Sequence, residues 1–341
     1  MILQDNNKEN NNLKKIIIWG TFFCMICMGH FIKKNNIDPL KYKQWHLRNN
    51  NTINTTITRK PEVIVAIIDT GVDYEHEYLK NALWINTKEI ADDGIDNDLN
   101  GYIDDIYGWN FCEQNNMIDG YSEEIYENDH GTMCFGIIIA GLNTAGVKEI
   151  DASINIRIMI LKVLAGLDHT GDIKDAVEAI NYAEKMGADI CNLSFITKED
   201  NPELKESIQN SNMLFVAGAG NDGEDIAKHP VYPAAYVLDN VITVGAIEYQ
   251  GKIYENSNYS NVLVDILAPG VDIYSTGVNC YMFDSGTSFA APMVTAKASI
   301  LYSANTNLTA KELKDLLLQK SKKDESLLEL VKEGRVLDMS M

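Results

Sequence analysis

An α/β fold, with a mostly parallel sheet covered by helices on both faces, is the class this sequence predicts. Three observations carry it. Apolar, β-branched runs of strand length recur between residues 63 and 267, and stretches of helical spacing lie between them. The polar residues of chemical interest stand where strands end or helices begin, the edge at which open α/β sheets bind ligands.

In chain order, residues 1–35 read as an N-terminal signal sequence or membrane anchor. The apolar run 16–32 (IIIWGTFFCMICMGHFI) is flanked by Lys14-Lys15 and Lys33-Lys34, a pattern of export rather than of a core helix. If uncleaved, it would tether the chain to the membrane and leave everything after it on the outer face of the cell. Residues 36–60 are Asn- and Thr-rich, without periodicity, and read as a polar linker or short pro-segment. The composition then changes to a single folded domain, 61–341.

That domain opens with the strand-like run VIVAII at 63–68, ending in Asp69-Thr-Gly71. Residues 92–105 (DDGIDNDLNGYIDD) hold six aspartates and two asparagines. Hard oxygen donors packed so densely repel one another unless a cation sits among them. The spacing of Asp96, Asp98, Asn100 and Asp104 imitates part of an EF-hand loop, but position 107 is Tyr where such a loop ends in Glu. The expected ligands of a structural Ca2+ are Asp96, Asp98, Asn100, the Tyr102 carbonyl and Asp104, with Asp105 as a further donor; an acidic solvated loop is the alternative.

Asp129-His130-Gly-Thr132 begins a helix of small apolar residues, which puts Cys134 one turn below the His130 ring. Further strands are expected at 154–165, 190–195, 213–217, 241–245 and 264–267, with helices at 172–187 and 202–211. Asn221 lies on a Gly-rich turn after a strand, and Ser288 enters an apolar helix extending to about Ala304. There Gly286 allows a close approach and an unusual backbone angle, and Pro292 is tolerated only near a helix start. Thr309 and Glu312 form a capping box for a last helix at 310–320.

The bulk numbers are consistent with this plan. A chain of 341 residues, 45% hydrophobic, can bury a large core, and its net charge of −20 argues against nucleic acid as a partner. Cys24 and Cys27 have CxxC spacing inside the apolar run, which disfavours a metal or redox role; Cys112, Cys134, Cys191 and Cys280 are expected outside any disulfide and mostly buried.

Each of these residues alone has an ordinary structural explanation. Together, IIDTG around Asp69, HGT at His130, GAGND around Asn221 and GTSFAAP around Ser288 resemble, in this order, the subtilisin-like serine peptidases. The resemblance runs over about residues 61–338, and the DGIDND and NGYIDD strings look like a calcium-bearing insertion found in many bacterial members. It implies the subtilisin-like three-layer fold and a serine endopeptidase acting on polypeptide through an acyl-enzyme. Calcium would be structural, with no cofactor required for the chemistry. By the same resemblance Asp69 orients the base, His130 is the base, Ser288 the nucleophile, and Asn221 completes the oxyanion hole. The substrate would lie extended between His169-Thr170-Gly171 and Ser194-Phe195-Ile196, with Ala217-Gly218-Ala219 lining the first specificity pocket.

Two departures from the family stand out. Ile196 replaces a usual Gly, which would narrow or reshape that pocket, and residues 36–60 are short for the family's folding pro-domain. Asp222 and Asp225 near the pocket would favour a basic substrate side chain. A monomer is expected, and within the enzyme reading a processing protease for an exported peptide. A catalytically silent peptide-binding protein with the same groove is the alternative.

Overall fold

The computed structural model describes residues 2–4, 62–119, 121–122, 125–126, 128–144, 155–166 and 168–338. The apolar run 16–32 and the linker 36–60 lie outside the described residues. Among the described residues no helix is long and apolar enough to cross a membrane.

The strands in chain order are β1 (Ile2–Gln4), β2 (Val63–Asp69), β3 (Gly108–Asn110), β4 (Tyr121–Ser122), β5 (Ile125–Tyr126), β6 (Ile156–Lys162), β7 (Thr170–Asp172), β8 (Ile190–Leu193), β9 (Leu214–Gly218), β10 (Val241–Ile247), β11 (Ile266–Pro269), β12 (Ile273–Gly277), β13 (Cys280–Asp284), β14 (Lys322–Lys323) and β15 (Arg335–Val336). The helices are α1 (Asp129–Thr144), α2 (Ile173–Lys185), α3 (Pro202–Gln209), α4 (Thr287–Ala304) and α5 (Ala310–Gln319).

Nine strands form one sheet in the order β14-β15-β11-β10-β9-β8-β2-β6-β3, parallel except at the β14–β15 pair. From β2 the chain supplies β3 and then β6 on one side before it crosses to β8 on the other. β2 is therefore the switch point of the sheet, and its C-terminal end, where Asp69 stands, opens into a crevice.

The sheet alternates as a doubly covered sheet must. Val63, Val65 and Ile67 face one core with α1, α4 and α5, while Ala66 and Ile68 face a second core with α2 and α3. Helix α4 is buried all along Thr287 to Ile300, which accounts for its largely apolar, small-residue sequence. The α/β class and the three-layer arrangement expected from the sequence are present.

Most element boundaries fall within a few residues of expectation. Asp172 is the N-cap of α2, accepting from the Lys174 N–H, so that helix starts one residue later than its periodicity indicates. The Thr309–Glu312 capping box forms as expected. The short strands were not foreseen, nor was the β12–β13 hairpin. β3 is only three residues long, too short to carry a pattern, and the β12–β13 hairpin pairs a buried strand with a mixed, largely exposed one. No disulfide joins Cys112, Cys134, Cys191 or Cys280. Against the expectation of burial for most of them, only Cys134 and Cys191 of these four are buried; Cys112, in a turn, is half-buried and Cys280, at the start of β13, is exposed.

Candidate active site

Asp69 ends β2 at the switch point and is 1% exposed. Its Oδ1 accepts from the Thr70 N–H at 2.7 Å, and the His130 Nδ1 lies 2.9 Å from Oδ1 and 3.1 Å from Oδ2. Burial alone would raise the carboxyl; the charge and hydrogen bond of His130, with the Thr70 N–H, hold it below the ordinary value. With Nδ1 committed to Asp69, the Nε2 side of the ring is the one left to exchange a proton.

The ring is placed by the backbone. A Cβ on Gly131 would lie 2.1 Å from the Gly71 carbonyl oxygen, so α1 can start this close to the end of β2 only without one. The Gly131 N–H also donates to Thr70 Oγ1 at 3.1 Å. Cys134 sits one turn down, as expected, with its sulfur 3.9 Å from His130 Nδ1. Burial, then the charge of Asp69, pushes its thiol far up, so it stands under the ring as a neutral group.

Ser288 is in the first turn of α4 and 8% exposed. The His130 ring lies 5.1 Å, centroid to centroid, from that of Phe289, the next residue. The hydroxyl of Ser288 is turned to the Ser194 carbonyl at 3.3 Å. Its own N–H belongs to the first helical turn, where N–H groups lack intrahelical acceptors. Asn221 approaches the same turn: its Oδ1 accepts from the Thr287 N–H at 2.9 Å, which leaves the Nδ2 group as the outward donor. The unusual angle expected at Gly286 is not found. Its φ of 160° is extended backbone, and the need for glycine is spatial, because a Cβ would stand 3.3 Å from Asn221 Nδ2.

The two expected substrate walls differ. His169 has a φ of 46° and its ring lies 6.2 Å from that of His130; Thr170 and Gly171 pair in parallel with Ile2 and Leu3 of β1. Burial first, and then the charge of His130, lowers the His169 imidazole to about 4. Ser194, Phe195 and Ile196 have buried side chains, so that segment offers its backbone. Ile196, expected to narrow or reshape the pocket, is buried and packs with Ala219, Ile226 and Val231. Ala217 and Ala219 are fully buried. Asp222 and Asp225 are paired with Lys198 at 3.4 Å and Lys228 at 3.0 Å, which weakens the case for them as a basic-side-chain receptor.

Of the residues expected to hold calcium, Asp96 and Asp98 come together with a residue outside the acidic string, Glu89. Glu89, Asp96 and Asp98 bring carboxylate oxygens within 4.8 Å of one another. Three carboxylates at that separation fit a hard divalent cation. Glu89 lies outside the acidic string, and only the fold brings it in. Asn100 and Tyr102 are bonded to each other, Asn100 Oδ1 accepting from the Tyr102 N–H at 2.8 Å. Asp104 accepts from the backbone N–H groups of Asp93 and Gly94. Asp105 faces inward, accepting from Tyr182 Oη at 2.6 Å and from the amides of Asn86 and Asn100.

Comparison with known proteins agrees with this arrangement. A family profile described as the subtilase family matches residues 60–334. Subtilisin-like protease 1 of Plasmodium falciparum (isolate 3D7) is 34% identical over 278 residues, which cover 74% of this chain and 39% of that protein. The chain thus spans well under half of that relative. The major intracellular serine protease of Bacillus subtilis (strain 168) is 33% identical over 247 residues, covering 70% of this chain and 68% of that one. Among solved structures, a cold adapted subtilisin-like serine proteinase aligns with a TM-score of 0.63 at 22% identity, covering 86% of this chain and 97% of that chain. A lanthipeptide protease aligns with a TM-score of 0.62 at 20% identity, covering 81% and 85%. At such identities the structural likeness is one of fold.

Proposed function

The chain belongs to the subtilase family, and from that premise we propose that it is a serine-type endopeptidase. The observation that carries the reading is the Asp69–His130 pair, 2.9 Å apart, beside a helix whose first turn bears Ser288. A rotation of Ser288 Oγ from the Ser194 carbonyl toward His130 Nε2 lets the imidazole take its proton as the oxygen attacks a peptide carbonyl. Asp69 holds the ring in the tautomer that makes this possible and stabilises the imidazolium that results. The tetrahedral oxyanion is met by Asn221 Nδ2–H and the Ser288 N–H. His130 returns the proton to the leaving amine, then activates water to hydrolyse the acyl-enzyme.

In this reading the substrate is an extended polypeptide bound along the segments 169–171 and 194–196, with Ala217, Gly218 and Ala219 behind its first side chain. Glu89, Asp96 and Asp98 would hold a structural calcium ion that supplies no chemistry to the reaction. The run 16–32 between lysine pairs supports export and, while uncut, attachment at the outer membrane face. A narrow role trimming an exported peptide follows from that placement.

Labelling by a fluorophosphonate, compared between wild type and Ser288→Ala, tests the core of this reading. Labelling and peptide hydrolysis lost together in Ser288→Ala is the expected result. A folded wild-type protein that neither labels nor cleaves would instead be a silent peptide binder.

A further inference from the structure

Asn221 is exposed, and its side chain is held at one end, Oδ1 accepting from the Thr287 N–H at 2.9 Å. The place of its Nδ2 group therefore depends on the main chain beneath it. That main chain is a turn of high intrinsic freedom. Gly220 and Gly223 have φ of +96° and +68°, and glycine loses more conformational freedom on being fixed than any other residue. A donor to an oxyanion acts by being in place before the charge develops, so a wandering turn would forfeit most of its effect.

One buried side chain holds the turn. Asn258, in the segment that follows β10, is 1% exposed. Its Oδ1 accepts from the Asp222 N–H at 3.0 Å and the Glu224 N–H at 2.9 Å, which uses both lone pairs. Its Nδ2 donates to the Ala219 carbonyl at 2.9 Å, and its own N–H to the Gly220 carbonyl at 2.9 Å. Residues 219, 220, 222 and 224 are thus all bonded to Asn258, and Asn221 stands between them. The orientation of this amide is fixed by its surroundings, since an N–H only donates and a carbonyl only accepts. A Cβ on Gly220 would lie 2.5 Å from Asn258 Nδ2, so so close an approach needs glycine there.

Asn258 is in turn referred to the sheet. Ser257 Oγ donates to the Asn258 carbonyl at 2.9 Å and accepts from the Ala246 N–H of β10 at 2.9 Å. β10 pairs with β9, Val244 beside Gly218, and β9 is the strand from which the turn emerges. We propose that Asn258 is a positioning residue for the oxyanion hole. It fixes the turn so that Asn221 Nδ2 meets the tetrahedral oxyanion, and, being buried, it acts through Asn221 without touching substrate. The proposal rests on the endopeptidase reading and adds to it a residue outside the four signature strings.

The test is a kinetic cycle of Asn258→Ala and Asn221→Ala in the full chain, with a peptide substrate and active sites counted by fluorophosphonate. Asn258→Ala is expected to lower kcat at least about tenfold while KM changes less than about threefold. In the Asn221→Ala background the same substitution should lower kcat by less than about twofold, because the donor it positions is already gone. A residue that only supports the fold would lower the count of active sites and leave kcat per site unchanged. An unchanged kcat, a loss confined to KM, or the same factor in both backgrounds overturns the proposal. Should Asn258→Ala not fold, Asn258→Asp takes its place in the cycle. It is isosteric, keeps an oxygen for the Asp222 and Glu224 N–H groups, and turns an acceptor toward the Ala219 carbonyl; the same outcomes decide. A wild type that neither labels nor cleaves removes the endopeptidase reading and this proposal with it. A wild type that cleaves, with Asn258→Ala at full kcat, removes this proposal alone.

Discussion

Ser194 and Ser288 are crossed onto each other's backbone: Ser288 Oγ reaches the Ser194 carbonyl at 3.3 Å, and Ser194 Oγ donates to the Ser288 carbonyl at 2.9 Å. The second bond exists because of Pro292. A helical carbonyl is normally met by the N–H four residues on, and at position 292 there is none. Ser194 takes that place, with the Cys134 thiol a weaker donor at 3.5 Å.

Removing the donor should therefore be costly in stability. Ser194→Ala is expected to destabilise the fold by about 1–3 kcal/mol, read as a lower urea midpoint at constant m. Introducing Pro292→Ala restores an N–H to the helix, so the cost of Ser194→Ala should shrink in that background. A double-mutant cycle with no coupling would mean that the Ser288 carbonyl is satisfied in some other way.

Asn221→Ala should lower kcat and leave KM nearly unchanged, because in the proposed mechanism the amide meets the oxyanion and not the ground-state carbonyl. The size expected is the loss known for the corresponding donor in subtilisin itself, about 10²–10³-fold. A rise in KM at constant kcat would place Asn221 in substrate binding.

Acid stability follows from His169 and Asp69 in separate windows. The folded His169 imidazole titrates at about 4 against 6.5 ordinarily, so from pH 6.5 downward the unfolded chain takes up a proton that the folded one refuses. Stability then falls with pH across that window, by at most about 1.4 kcal/mol per unit. The Asp69 carboxyl is held below its ordinary value of 3.8, so its contribution is lost only at still lower pH. His169→Asn, which tolerates the same positive φ, should flatten the first slope and leave the second. Urea unfolding at a series of pH values measures both.

Calcium should raise Tm, by the mass action of an ion bound to the folded state alone, worth about 2.7 kcal/mol at a hundredfold excess over Kd. Glu89→Gln should abolish most of that rise. Asp105→Asn should instead lower Tm equally in calcium and in chelator, since its carboxylate accepts from Tyr182, Asn86 and Asn100. Differential scanning calorimetry of the two variants decides between the three-carboxylate cluster and the longer ligand set that the loop spacing implies.

What could be read from the sequence was what a local pattern can carry. The runs that became β2, β6, β9 and β10 are continuous, and Asp69, His130, Asn221 and Ser288 each sit in a distinctive short string at an element boundary. What escaped depends on the fold. Glu89 joins Asp96 and Asp98 through a turn with no motif of its own. The packing partners of Ile196, namely Ala219, Ile226 and Val231, come from later in the chain and could not be read beside it. At Gly286 the expected close approach is present, to the Asn221 amide, while the expected unusual angle is not.

The contact between Gly131 and the Gly71 carbonyl has a mechanical consequence. The end of β2 and the start of α1 meet main chain against main chain, since a Cβ on Gly131 would lie 2.1 Å from the Gly71 carbonyl oxygen. A fluctuation that parts α1 from the end of β2 should also part Asp69 from His130. The Gly131 amide, bonded to Thr70 Oγ1, is thus a gauge of catalytic competence. Its rate of hydrogen exchange should follow heat inactivation degree for degree, while amides in the exposed β13 strand exchange ahead of it.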